Sequence, residues 1–283
     1  MDNDKQKSAE CLADRIINWI KNQGYPLEMI VASTLRKAGF TTSLSDYYQD
    51  PETREYREID ITAVRWSNEH KPVIAQVCFR IECKRIKDKP WVVFVPDAEP
   101  NVFLPLTSIS SEIFRAFIFN VFKKADYMPK LLKLPLFRSD AMGYGVIQAF
   151  AKDNQDMPYK ALMSAGKASV ARALELDKLP RPTQQFFCGI VFPVIVIDGS
   201  LFEARLDEYG DIKVQEVVSS YIYWKGMSPW LSSPLIPIIS KPALDQFVID
   251  MNITTTSLLS ISEEFMTELK EIAEEIWAKK KGM

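Results

Sequence analysis

Residues 73–84 read VIAQVCFRIECK, an apolar run that ends abruptly in charge. Such a run predicts a long strand. Side chains two apart in a strand point the same way, so Glu82 and Lys84 project together and Cys83 turns to the opposite face. A second strand-like stretch, Tyr56 to Trp66 (YREIDITAVRW), comes before it across the polar loop Ser67 to Pro72. Asp60 lies inside that stretch, between Ile59 and Ile61 and 22 residues before Glu82. Aspartate is disfavoured within a strand, and a half-buried carboxylate needs a partner. If the two strands are antiparallel neighbours, Asp60 sits beside Glu82 at the end of a hairpin. Two carboxylates that close repel unless a cation joins them, so the cluster implies a metal, the lysine, or both.

The remaining periodicities predict helices around this hairpin. Residues 9–22 place Leu12, Ile16, Trp19 and Ile20 on one side of a helix broken by Gly24. A second helix, about Pro26 to Ala38, opens on a proline and closes at Gly39. It carries Glu28 in its first turn, where the helix dipole also favours a carboxylate with no further role. Phe40 to Tyr48 is the first strand and Trp91 to Val95 the fourth. Ile109 to Lys124 reads as a phenylalanine-rich helix, Pro129 to Phe137 as a basic loop, and Gly143 to Phe150 as a strand. Pro158 to Leu176 is a strong helix. The last third reads as a buried strand, Phe186 to Ile197, then Leu201 to Leu206 paired back to it through the Asp198-Gly199 turn. Lys213 to Val218 and Tyr221 to Trp224 follow, with an irregular proline-rich stretch over 226–242. A final helix is capped by Ser262 and carries Phe265, Leu269, Ile272 and Ile276 on one face. Together these predict an α/β fold: a mixed central sheet flanked by helices in one domain spanning 1–283. Its core covers about 9–176, and a β-rich extension covers about 180–283.

The cluster suits phosphodiester hydrolysis. Carboxylates are hard oxygen ligands for Mg²⁺, which stabilises phosphate charge and acidifies water. A lysine positions or deprotonates that water, or neutralises developing charge. The ordered set of an acid on one strand and Glu-x-Lys on the next, Asp60 then Glu82-Cys83-Lys84, resembles the PD-(D/E)xK, or restriction-endonuclease-like, nuclease superfamily. Ile59 stands where the proline of the motif would be. The resemblance implies a restriction-endonuclease-like core and a catalytic set of Asp60, Glu82, Lys84 and the helix residue Glu28. It implies Mg²⁺ or Mn²⁺ held by Asp60, Glu82 and the Cys83 carbonyl. It also implies substrate contacts from Tyr159, Lys160 and Lys167 on the helix after the core. Arg85 and Lys87, in the basic ridge that follows Lys84, are the nearer candidates for nucleic acid. DNA is the expected substrate, and restriction, repair or anti-phage defence the expected setting. A catalytically silent module of the same fold, binding nucleic acid or a protein within a larger assembly, is the alternative. The amphipathic last helix, Ser262 to Lys281, is a candidate docking face for a second copy or another chain.

Composition narrows the remaining classes. Net charge is −2 and the pI about 5.7, which does not mark a protein that grips nucleic acid by bulk charge, so local basic patches must serve. The four cysteines form no CxxC pair and read as reduced thiols. The polar N-terminus and the lack of a bilayer-length apolar run predict a cytoplasmic protein with no membrane segment. A single histidine, His70 at a predicted loop tip, with no Ser/His/Asp set in prospect, argues against histidine-dependent nucleophilic catalysis. No Walker-type glycine loop is present.

Overall fold

The computed structural model describes residues 11–86, 89–97, 109–138, 142–151, 156–178, 185–224 and 234–282. The chain opens with helices α1 (Leu12–Ile20) and α2 (Tyr25–Lys37). Strands β1 (Thr41–Gln49), β2 (Tyr56–Trp66), β3 (Val73–Arg85), β4 (Trp91–Phe94) and β5 (Ile109–Ser110) follow. Next come α3 (Glu112–Phe122), α4 (Met128–Leu132), β6 (Gly145–Gln148) and α5 (Met157–Leu176). The last third holds β7 (Phe186–Asp198), β8 (Leu201–Leu206), β9 (Ile212–Val217), β10 (Ser219–Tyr223) and β11 (Leu235–Ser240). It ends in α6 (Leu244–Glu264) and α7 (Met266–Lys281). No helix among the described residues is long and apolar enough to cross a membrane.

This is the α/β class the patterning predicts, with a mixed seven-stranded sheet at the centre. Its order is β1-β2-β3-β7-β11-β10, with β5 also paired to β7. The strands β3, β7 and β11 run parallel, and the flanking pairs are antiparallel. Because β3 is buried on both faces, it reads as a nearly continuous apolar run. One face (Val73, Val77, Phe79, Ile81) joins a core with Leu27 and Leu35 of α2, Phe114 and Phe117 of α3, Met251 of α6 and Leu269 of α7. The opposite face lies under α5 and a second sheet of order β6-β4-β8-β9. α2 stops at Gly39, whose φ of 86° suits glycine, and Phe40 N–H then donates to Leu35 O (3.1 Å).

Several local expectations give way to tertiary packing. The segment after residue 180 does join the same sheet. However, β7 occupies its centre, paired with β3 from Val73–Phe186 to Arg85–Asp198. β8 does not pair back onto β7. The Asp198-Gly199 turn sends the chain into the second sheet, beside β4 and β9. Only glycine fits there, since a Cβ on Gly199 would stand 2.2 Å from Ile86 O. The proline-rich stretch contains β11, in parallel register with β7. Residues 109–110 are strand, and α3 starts after Ser111, whose hydroxyl accepts from Phe114 N–H (3.3 Å). The basic loop contains α4 and a 3₁₀ turn over Pro135–Phe137. Ser262 is no cap: it lies inside α6 and donates to Leu259 O (2.7 Å). β-branched and hydroxyl residues at Thr254, Thr255 and Thr256 disfavour helix locally. Burial of Thr254, Thr255 and Leu258 overrides that preference. The apolar face of α7 packs into its own core through Leu269 and Ile272, so it is not free to dock elsewhere. By contrast, α1 carries the expected stripe yet buries none of its residues.

Candidate active site

The site is built where two strand pairings are interrupted. β2 and β3 are antiparallel, with Ile61 opposite Ile81 and Thr62 opposite Arg80. One further step puts Asp60 level with Glu82. There the regular ladder stops, and the backbone N–H of Cys83 donates to Asp60 Oδ2 (2.6 Å). The pairing of β2 with β1 also skips this level: Leu44 faces Ile61 and Asp46 faces Ile59, while Ser45 between them has φ 49°. The alternation of β2 breaks with it. Ile61 and Ala63 join the main core, whereas Ile59 packs on the other side with Tyr48, Ala168 and Ala171. A distortion of this kind re-aims a side chain, and here the re-aimed residue is Asp60.

Glu82 is buried, 7% exposed. Its two oxygens have separate partners: the Lys84 ammonium on Oε1, and the Ser164 hydroxyl of α5, which donates to Oε2 (2.8 Å). The shared face predicted for Glu82 and Lys84 is thus present. Glu28 comes from α2 and feels the same charges. Burial, then the Asp60 and Glu58 carboxylates, hold its carboxyl above the ordinary value, against the pull of Lys84. Burial likewise raises Asp60, opposed by the Cys83 N–H and Lys84. Burial raises Glu82, opposed by Lys84 and reinforced by Asp60. For Lys84, burial alone would lower the pKa, but Glu82 and Asp60 outweigh it and hold the ammonium charged. Burial and the neighbouring carboxylates push the Cys83 thiol well above its ordinary value, so only the Cys83 backbone is of use here.

The other predicted residues are scattered. Arg85 donates to Lys21 O and stands 4.0 Å from Asp198. Lys87 lies outside the described residues. Lys160 is exposed on α5, and Tyr159, 47% exposed, has its ring 5.6 Å from that of Trp224. Lys167 is not free for a substrate: its ammonium closes on Asp50 (3.1 Å) and Glu52 (2.7 Å). Sequence reading missed Ser164 and Asp50. Ser164 is a small residue in an alanine-rich helix, and Asp50 looks like an ordinary turn residue. A cavity of about 1150 Å³ opens elsewhere, between Asp198, Gln215, Ser219 and Lys241, and none of Glu28, Asp60, Glu82 or Lys84 lines it.

Among the described residues, no three His, Cys, Asp or Glu side chains converge as a ready metal cage. Mg²⁺ does not require one, because it keeps several waters and takes one or two carboxylates plus phosphate oxygens. Asp60, Glu82 and the Cys83 carbonyl are oxygen donors of that hard class, so the residues fit such an ion chemically. Comparison with family models, curated proteins and solved structures finds no match to this chain.

Proposed function

We propose that this protein is a metal-dependent nuclease of PD-(D/E)xK type that hydrolyses phosphodiester bonds in DNA. One observation carries the reading: Asp60 comes level with Glu82 where the β2–β3 ladder stops, the Cys83 N–H holds Asp60, and a half-buried Lys84 ammonium closes on Glu82. Asp60, Glu82 and the Cys83 carbonyl would hold Mg²⁺ or Mn²⁺, and Glu28 would complete the shell or orient a water. When bound, the ion polarises the phosphoryl group and acidifies water. Of the roles open to Lys84, its raised pKa favours the cationic ones. The ammonium donates a hydrogen bond to the attacking water and neutralises charge that grows on the phosphate oxygens. Glu82 keeps that ammonium in place. Arg85, next after Lys84, and Lys160, one helical turn before Ser164, are the cations this reading assigns to the DNA backbone. Free, buried Cys78, Cys83 and Cys188 support a reducing, cytoplasmic setting.

The test is cleavage of supercoiled and linear DNA with Mg²⁺, Mn²⁺ or EDTA, by wild type and Lys84→Ala. The expected result is cutting with either metal, none in EDTA, and a loss of about 100-fold or more in the variant. Cutting that survives Lys84→Ala, or no cutting by the wild type, would count against the reading. A silent module of the same fold, binding nucleic acid or a protein partner, is the second reading, and the acidic pI of about 5.7 favours it. Mn²⁺ raises the melting temperature of the wild type but not of Asp60→Ala if the site is live. No shift, with DNA binding retained, selects the silent module.

A further inference from the structure

Resting on the nuclease reading above, we propose that Ser164 is a positioning residue that orients Glu82 for the reaction from outside the carboxylate–lysine motif. It lies 82 residues beyond Glu82, on α5. A serine inside a helix commonly turns its hydroxyl back to the carbonyl one turn earlier. Ser169, on the same helix, does so, donating to Ala165 O (2.8 Å). Ser164 instead directs its hydroxyl across to Glu82 Oε2. Its own carbonyl accepts from the Tyr48 hydroxyl at 3.5 Å. The helix around it is fastened to the sheet, by Lys167 to Asp50 and by Arg172 Nη2 to Gln76 Oε1 (2.6 Å). The donor is therefore held on a fixed frame.

The effect on Glu82 follows from its two oxygens. Lys84 alone would leave the carboxylate free to turn about its terminal bond. With Ser164 on the second oxygen, the plane of the carboxylate is set, and with it the place of the Lys84 ammonium and the direction of the remaining lone pairs. Partners of this outer kind typically affect metal affinity or activity by about 10–100-fold.

The experiment compares wild type, Ser164→Ala and Ser164→Thr by steady-state cleavage, with the folded fraction of each protein measured by circular dichroism. The expected result for Ser164→Ala is a kcat about 10–100-fold lower with KM little changed. Ser164→Thr, which keeps the hydroxyl, restores kcat. A Ser164→Ala enzyme with wild-type kcat overturns the inference, as does a Ser164→Thr enzyme no faster than Ser164→Ala. So does a kcat loss that merely follows loss of folded protein. Wild-type protein that cuts no DNA overturns the nuclease reading itself and takes this inference with it, which separates the two failures.

Discussion

Two acidic clusters each make contact with the same helix, α5, and their electrostatics run in opposite directions. Asp50 is fully buried, yet it is surrounded by donors. Lys167 (3.1 Å) and Arg57 (2.9 Å) pair with it, and the backbone N–H groups of Glu52 (2.9 Å) and Thr53 (3.1 Å) donate to it. Burial would raise its carboxyl, but those two N–H groups and Lys167 outweigh burial and hold it below its ordinary value. At the candidate site, three carboxyls, Glu28, Asp60 and Glu82, share one lysine, and all three stand above their ordinary values. The burial penalty is common to both clusters; the supply of donors is not. A compensated cluster stabilises the fold. An under-compensated one reduces stability and favours an added cation, which is how functional sites differ from structural ion pairs.

Removing each cluster's centre separates them most sharply. Asp50→Ala leaves two N–H groups without their acceptor and Lys167 with Glu52 alone. It should lower the unfolding free energy by about 4 kcal/mol, read by denaturant titration. A loss below about 1 kcal/mol would break the comparison. Lys167→Met tests the same cluster from its cation. It should lower stability by about 2 kcal/mol while leaving the salt dependence of cleavage by the folded enzyme unchanged. A flatter salt dependence would return Lys167 to the DNA-contacting role that sequence predicts for it. Asp60→Asn acts with the opposite sign: it should raise stability at neutral pH by about 1 kcal/mol while activity is lost. That gain is about 2 °C of melting temperature.

The smallest effect is the pH profile. Glu28, Asp60 and Glu82 have folded pKa values above their ordinary 4.5, 3.8 and 4.5, so their ionisation lowers stability above those folded values. As pH falls from neutrality towards 4.5, the native state takes up protons first, and stability rises. Asp50 is depressed below 3.8, so its contribution is present above 3.8 and is lost as pH falls through its folded value. Thermal melts should therefore show a maximum on the acid side of neutrality, and the Glu28→Gln/Asp60→Asn double variant should flatten the rise towards it. An unchanged slope in that variant would show that the site carboxyls are not the source.

How much of this was legible depends on the range of each interaction. The β2–β3 hairpin joins neighbouring segments, so the spacing from Asp60 to Glu82 was enough to bring them level once the strands pair, but the break in alternation that aims Asp60 was not legible. Glu28 was legible as a first-turn acid, but its placement against Asp60 belongs to packing of α2. Ser164 and the Asp50–Lys167 pair were not legible, since each spans more than 80 residues. Nothing in an alanine-rich helix marks which residue will meet a buried carboxylate. The same applies to α6, where Thr254 and Thr255 disfavour helix locally and burial decides otherwise.

The sequence by itself determined the α/β class, the long strand that ends in Glu82-Cys83-Lys84, and the face those side chains share, because dihedral preference and alternation are local. Tertiary structure decided that β7 fills the centre of the sheet, that β4 and β8 leave for a second sheet, and that α5 sets Ser164 against Glu82. Parallel pairing and helix docking join segments distant in the chain. Their choice rests on summed burial and on donors meeting acceptors, which no local pattern encodes.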